Sequence, residues 1–343
     1  MKIIKYGILG VILALTGTFS SEVLAQDNTE TERIEALRDM VKSESLNLSM
    51  LIHSRGVFSF NENGTRTLTV PNARLKIDGK LDGGFSYNLQ FDATLDNILL
   101  DAIIAYAINE RTNFAVGAQK PGISYEFLTA PHKLDFVTRS FIVTALAQNR
   151  ELGARLSGDL SNEFNYSVGI FNGNRLGAND NNKFYYAGRL GYNSSSEDGS
   201  LVVGVNAAYG EQSNARLSAG ILPNIDGERL IYGGDLRFEN TTFIFASEFL
   251  AADLDYIGFT EQDNVFGVHV TGGYKLSERS RVLLRFENLD SELLGPFVNQ
   301  ERLVFGFSHF PTKQTGFRIN YNLPLDNTDF SNHGLTLSYY IAF

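Results

Sequence analysis

The stretch "NARLKIDGKLDGGFSYNLQFD", residues 72–92, decides how this chain folds. In its first half Ala73, Leu75, Ile77 and Leu81 alternate with Arg74, Lys76, Asp78 and Lys80. In its second half Phe85, Tyr87, Leu89 and Phe91 alternate with Ser86, Asn88, Gln90 and Asp92. A period of two is that of a β-strand with one apolar and one polar face, and the Asp-Gly-Gly between the halves marks a tight turn. The unit is a hairpin, greasy on one side and charged on the other.

The same pattern returns in "ELGARLSGDL", "KFYYAGRLGY", "RLIYGGDLRFE", "RVLLRFENL", "RLVFGFSHF" and "GFRINYNL". Each is about 9–12 residues, the length a tilted strand needs to cross a bilayer. A soluble sandwich has no need of so many strands of one length. Strands are expected near 47–60, 69–81, 84–95, 98–109, 112–121, 149–160, 164–172, 184–194, 199–210, 229–240, 241–251, 264–275, 280–289, 300–310, 314–323 and 333–343. Sixteen is an even number, as bacterial single-chain barrels have. The fold class is therefore all-β: a transmembrane antiparallel β-barrel with a short N-terminal periplasmic helix.

The connections point the same way. Short turns near 82–84, 161–163, 277–280 and 311–314 alternate with longer loops near 122–148, 173–183, 211–228, 252–263, 290–299 and 324–332. Outer-membrane barrels have short periplasmic turns and long external loops, which places both termini in the periplasm. The last nine residues, "LTLSYYIAF", put Leu335, Leu337, Tyr339, Ile341 and Phe343 on one face. If the last strand closes against the first, that face meets lipid, with Phe343 in the interfacial aromatic belt.

Residues 1–25 read as a secretory signal: Lys2 and Lys5, an apolar run from Ile8 to Leu15, then Val23 and Ala25 before the cleavage point. Residues 26–45 form a linker whose segment 29–43, "TETERIEALRDMVKS", has caps and an Ile34, Leu37, Val41 face suited to a helix. That helix serves either as a linker or as a small periplasmic coiled coil or plug. The barrel occupies 46–343. No later stretch is long and apolar enough to cross as a helix, "ILLDAIIAYAI" being short and carrying Asp101.

Composition narrows the function. The chain has no Cys, so thiolate metal sites and Cys nucleophiles are excluded, and its 26 Phe and 15 Tyr need a surface to occupy. A net charge of -10 argues against a nucleic-acid partner. Much of the acidity lies in the external loops, where it would meet lipopolysaccharide headgroups and their divalent cations, or simply water. The five histidines show no metal spacing, and no cofactor is expected.

The blocks "NARLKIDGKLDGGFSYNLQFD", "AYAINERTNFAVGAQKPGISYEFLTAPHKLDFVTRS" and "NRELGARLSGDLSNEFNYSVGIFNGN" together resemble the phosphate-selective porin family, the porin O and P type. The likeness is densest over 70–192. It implies a sixteen-stranded outer-membrane channel, usually trimeric, whose third long loop folds into the lumen as a constriction. That loop corresponds to 122–148. Anion-selective members line the pore with Arg and Lys, and the corresponding region here offers Lys120, Lys133, Arg139 and Arg150. An aromatic C-terminus such as Phe343 also resembles the signal read by the barrel-assembly machinery.

Strand parity then places Arg55, Arg74, Lys76, Arg155, Arg189, Arg237, Arg285, Arg302 and Arg318 inside, with Asp78, Asp92, Asp101, Glu151, Asp159, Asp235, Glu248 and Glu287. Such a wall either passes small anions such as phosphate over fixed guanidinium groups or merely solvates a wet interior with ion pairs. The leading expectation is a porin. The alternatives are a structural or adhesive barrel with a blocked bore and, remotely, a hydrolase built around His53 and Ser54.

Overall fold

The computed structural model describes residues 42–147, 150–217, 220–326 and 328–343. The expected signal peptide lies outside the described residues, and so does the expected helix over 29–43 except for Lys42–Ser43, which is extended. Residues Glu44–Phe343 form one compact unit.

Within that unit sixteen strands follow one another: β1 Leu46–Ser59, β2 Arg66–Lys80, β3 Phe85–Asp92, β4 Leu99–Asn109, β5 Thr112–Gln119, β6 Glu151–Asp159, β7 Phe164–Phe171 and β8 Tyr185–Ser196. They continue as β9 Gly199–Ala215, β10 Ile225–Glu239, β11 Phe243–Tyr256, β12 Asp263–Ser277, β13 Ser280–Ser291, β14 Gln300–His309, β15 Thr315–Pro324 and β16 Gly334–Ala342. Each pairs antiparallel with its sequence neighbours. β16 closes on β1 in the register Ile341↔Ile52, Tyr339↔Ser54 and Leu337↔Gly56, and Phe343 exchanges backbone hydrogen bonds with Met50. Closure removes both sheet edges, the condition for strands to lie in hydrocarbon.

Parity along β16 is as expected: Tyr339, Ile341 and Phe343 are exposed, whereas Thr336, Ser338 and Tyr340 are buried. Outward side chains elsewhere are also large and apolar, among them Ile104, Val168, Phe245, Leu284 and Phe305. Near the short turns the outer wall carries ring pairs, Phe85 with Tyr106, Phe164 with Tyr192 and Phe243 with Tyr274, with centroids 5.0, 5.0 and 5.7 Å apart. This is the aromatic girdle of a membrane barrel. Where β5 meets β4, Gly117 has φ +129° and a Cβ there would lie 1.9 Å from the Ala102 carbonyl oxygen. Only glycine lets the strands approach there.

The strands at the loop end run further than the sequence pattern indicates. β9 and β10 pair out to Ala215↔Ile225, and β11 and β12 to Leu254↔Asp263, so the loops expected over 211–228 and 252–263 shrink to 216–224 and 257–262. The ladder persists beyond the apolar band, where polar outer residues hide the alternation.

The 120–150 connection folds inward. It carries α1 (Tyr125–Leu128) and α2 (Phe141–Leu146). Ile142, Val143 and Leu146 of α2 join an apolar cluster with Leu250 and Leu254 of β11 and Leu289 of β13. Leu217 and Leu222 from the 216–224 loop enter the same cluster, as do Leu294 and Val298 around α3 (Gly295–Val298). One side of the loop-end lumen is therefore packed with hydrocarbon, and this cluster is what seats the constriction.

Candidate functional site: the constriction

A loop inside an aqueous bore needs more than an apolar anchor, and ion pairs supply the rest. Asp135 accepts from Arg237 at 2.5 and 3.3 Å, and Arg281 lies 3.2 Å from the same carboxylate. Glu126 meets Arg285 at 3.2 Å and accepts from the backbone N–H and hydroxyl of Ser140 at 2.8 and 2.9 Å. Arg285 also reaches the Thr138 carbonyl, Asn320 Oδ1 accepts from the Val137 N–H at 2.6 Å, and Arg318 donates to the His132 carbonyl. Burial raises the Glu126 and Asp135 carboxyls, but the surrounding cations, His269 and Arg285 for one and Arg237 and Arg281 for the other, hold both below their ordinary range. Strands β10, β13 and β15 thus clamp a segment that leaves the wall at β5.

The cations singled out from the sequence divide into two groups. Arg74 pairs with Asp92 at 2.9 Å, Lys76 with Asp78 at 2.9 Å and Arg150 with Asp101 at 2.9 Å. Arg189 grips Asp235 bidentately at 2.6 and 2.7 Å, and Arg237 holds Glu239 as well as Asp135. Arg285 lies between Glu126 and Glu287, and Glu287 also takes Arg302. These side chains mainly fasten the wall and the loop.

The second group has no carboxylate partner among the described residues. Lys120 Nζ donates to the Phe127 carbonyl at 2.5 Å and sits 4.5 Å from the Phe127 ring. Arg139 binds the carbonyls of Glu126, Phe127 and Thr129, and Arg155 that of Lys120. Arg318 stacks over Tyr340 at 4.8 Å with Nε and Nη1 unpartnered, and Lys133 is exposed. Burial and then the neighbouring Arg150 and Arg139 push the Lys120 ammonium down to about 6; burial likewise pushes Arg139 down to about 10.

Two cavities flank the loop. One, of about 420 Å³, lies against β10–β12 and is lined by Glu126, Asp135, Asp235, Glu248, Lys133 and Arg237. The other, of about 390 Å³, lies against β1 and β2 and is lined by His53, Arg55, Arg74 and Arg139 together with Phe127, Leu134 and Val143. Above it a third, of about 430 Å³, runs up the inner face of β1 past Val57 and Ser59 toward Phe141 and Arg302.

Sequence reasoning missed Arg281, although it shares the inward parity of Arg285. It had no signal for Glu126 and Asp135, whose partners lie on distant strands. The imagined pairing of His53 with Ser54 is corrected by geometry. His53 points inward, with Nε2 2.8 Å from Ser338 Oγ, while Ser54 lies in register with outward Tyr339; adjacent strand residues face opposite sides.

A family model for "phosphate-selective porin O and P" matches residues 54–258. No curated protein matches the sequence. Among solved structures the chain is similar to the anion-selective porin from Comamonas acidovorans, with TM-score 0.61, 11% identity, and 87% of this chain and 99% of that one covered. It is also similar to the outer membrane channel DcaP of Acinetobacter baumannii, with TM-score 0.60, 13% identity and coverage of 87% and 97%. The trimer form of OmpT, an outer membrane protein of Vibrio cholerae, gives TM-score 0.62, 10% identity and coverage of 87% and 99%.

Proposed function

Because this chain belongs to the phosphate-selective porin O and P family, whose members are outer-membrane channels, we propose that it passes small hydrophilic solutes by diffusion and favours anions, phosphate among them. One observation carries the preference. Most carboxylates of the inner wall near the loop have a guanidinium partner, Glu248 with only His269 at 3.9 Å being an exception, whereas Arg55, Lys133, Arg139, Arg155 and Arg318 lack a carboxylate one among the described residues. Paired charges largely cancel at a distance, so the residual field of the constriction is positive even though the chain as a whole is acidic. Lys76, Arg189, Arg237 and Arg285 then shape the bore rather than bind its cargo.

The proposal extends to assembly. The short turns and both barrel termini face the periplasm, the long acidic loops meet lipopolysaccharide, and Phe343 is read by the barrel-assembly machinery. Three copies associate, in keeping with the trimer form of one similar barrel. A second reading, a structural barrel with a shut bore, is favoured by the hydrocarbon packed into one side of the loop-end lumen. Planar-bilayer recording separates the two. Protein that migrates as a folded, heat-modifiable band should give stepwise current, and a KCl gradient should give a reversal potential of anion sign. Silence from folded protein favours the shut barrel, and a potassium preference ends the anion reading.

A further inference from the structure

The cavity between the loop and strands β1 and β2 has a lining that inorganic phosphate does not use. The lining carries the cations Arg55 and Arg74 from the wall and Arg139 from the loop. It also carries Phe127, Leu134 and Val143, all buried side chains of the loop. A hydrated inorganic anion gains nothing from such a wall. An anion with an apolar body gains from both halves, and about 390 Å³ lies within the range of pockets that bind small ligands through an apolar lining and a few convergent polar groups.

The cations differ in what they have left to offer. Arg139 is bound to three backbone carbonyls, and Arg74 is held by Asp92. The Arg55 side chain makes no hydrogen bond or ion pair among the described residues, and its buried Nε has no partner. A buried guanidinium N–H without an acceptor is costly, and a carboxylate supplies the acceptor in a forked geometry that suits arginine. His53 is already engaged by Asn72 and Ser338, so it does not compete for that ligand.

Resting on the channel reading above, we propose that this cavity is a binding subsite for organic carboxylates with an apolar body, aryl carboxylates in particular. The carboxylate sits on Arg55, with Arg74 and Arg139 adding long-range attraction, and the ring lies against Phe127, Leu134 and Val143. The subsite makes the channel a selective path for such solutes, not a phosphate filter alone.

Benzoate is the probe, with acetate carrying the same head group without the body and inorganic phosphate carrying charge alone. In single-channel recordings in KCl, benzoate should block the current at a concentration at least tenfold below that needed for acetate or phosphate. Arg55→Gln should raise the benzoate value at least tenfold, and Arg55→Lys should recover part of the loss. Folding of each variant is checked by heat-modifiable migration, and Leu134→Ser provides an independent test that lowers benzoate block while sparing acetate. Calorimetric titration of benzoate into detergent-folded protein reads the subsite without current. A silent bilayer with benzoate binding defeats the channel reading and keeps the subsite. Open channels that benzoate and acetate block equally, or that phosphate blocks more strongly, overturn the subsite and leave the channel.

Discussion

Asp135→Asn removes the charge that fastens the middle of the constriction while keeping the side chain's shape. The carboxylate receives Arg237 at 2.5 Å and Arg281 at 3.2 Å, and the three side chains are 12, 17 and 14% exposed. A fully buried pair broken on one side costs about 3–5 kcal/mol, and hydrogen bonds to charged groups are worth about 1.5–3 kcal/mol each. Residual exposure lowers the figure here to about 2–4 kcal/mol, which raises the population of loop-detached states by about 30- to 700-fold at 1.4 kcal/mol per decade. Arg237 keeps Glu239 at 2.7 Å, but Arg281 loses its one carboxylate partner among the described residues and adds an uncompensated cation to the bore. Two signatures should appear together in planar-bilayer records of the variant: open-channel noise or flicker absent from the parent, and a reversal potential displaced further toward anions. Because the Asp135 carboxyl lies below its ordinary 3.8, acidification of the parent to pH 5 leaves it charged and does not mimic the substitution. Quiet traces with an unmoved reversal potential would show that the ion cluster does not hold the loop.

Two further outcomes follow from single side chains. Lys120, pushed down to about 6 by burial and by Arg150 and Arg139, gains its proton as pH falls, so the protonated fraction rises from about one-tenth at pH 7 to about nine-tenths at pH 5. Anion selectivity should therefore increase on acidification with a midpoint near 6, and Lys120→Met should flatten that response; an unchanged pH profile in the variant refutes the assignment. On the outer wall, Leu284→Arg places a cation in lipid and should lower barrel stability by about 2–4 kcal/mol, read as a reduced urea midpoint. The next residue, Arg285, is tolerated because its side chain points inward to Glu126 and Glu287. A variant as stable as the parent would mean that this face does not contact hydrocarbon.

Strand positions were legible because the solvent on each side writes itself directly into the alternation. Residues 72–92 and 335–343 need only a period of two to reveal which side meets lipid, and the loop-end strands escaped where that contrast fades, at Glu211 and Asp253. The inward loop was legible by length and by its resemblance. Its fastening was not. Parity says that Arg189, Arg237 and Arg285 point inward, but not that they meet Asp235, Asp135 and Glu126, because these partners, two strands away on the wall or on the folded-in loop, are separated by 46, 102 and 159 positions. The sequence therefore displays a wall of mixed sign, and only the pairing reveals which cations remain uncommitted. The same limit explains why Arg55 does not stand out in the sequence from the other inward arginines.

The local potential beside those cations is open to direct measurement, since a chain without cysteine accepts a single reporter thiol. Thr138→Cys places that thiol on the cavity shared by Arg55 and Arg139. Its modification rate by an anionic methanethiosulfonate, divided by the rate for a cationic one of similar size and normalised to the same ratio on free thiol, reports the field where solutes pass. A ratio well above one, falling toward one with added salt, is the predicted result. A ratio at or below one would contradict the positive constriction on which the functional account rests.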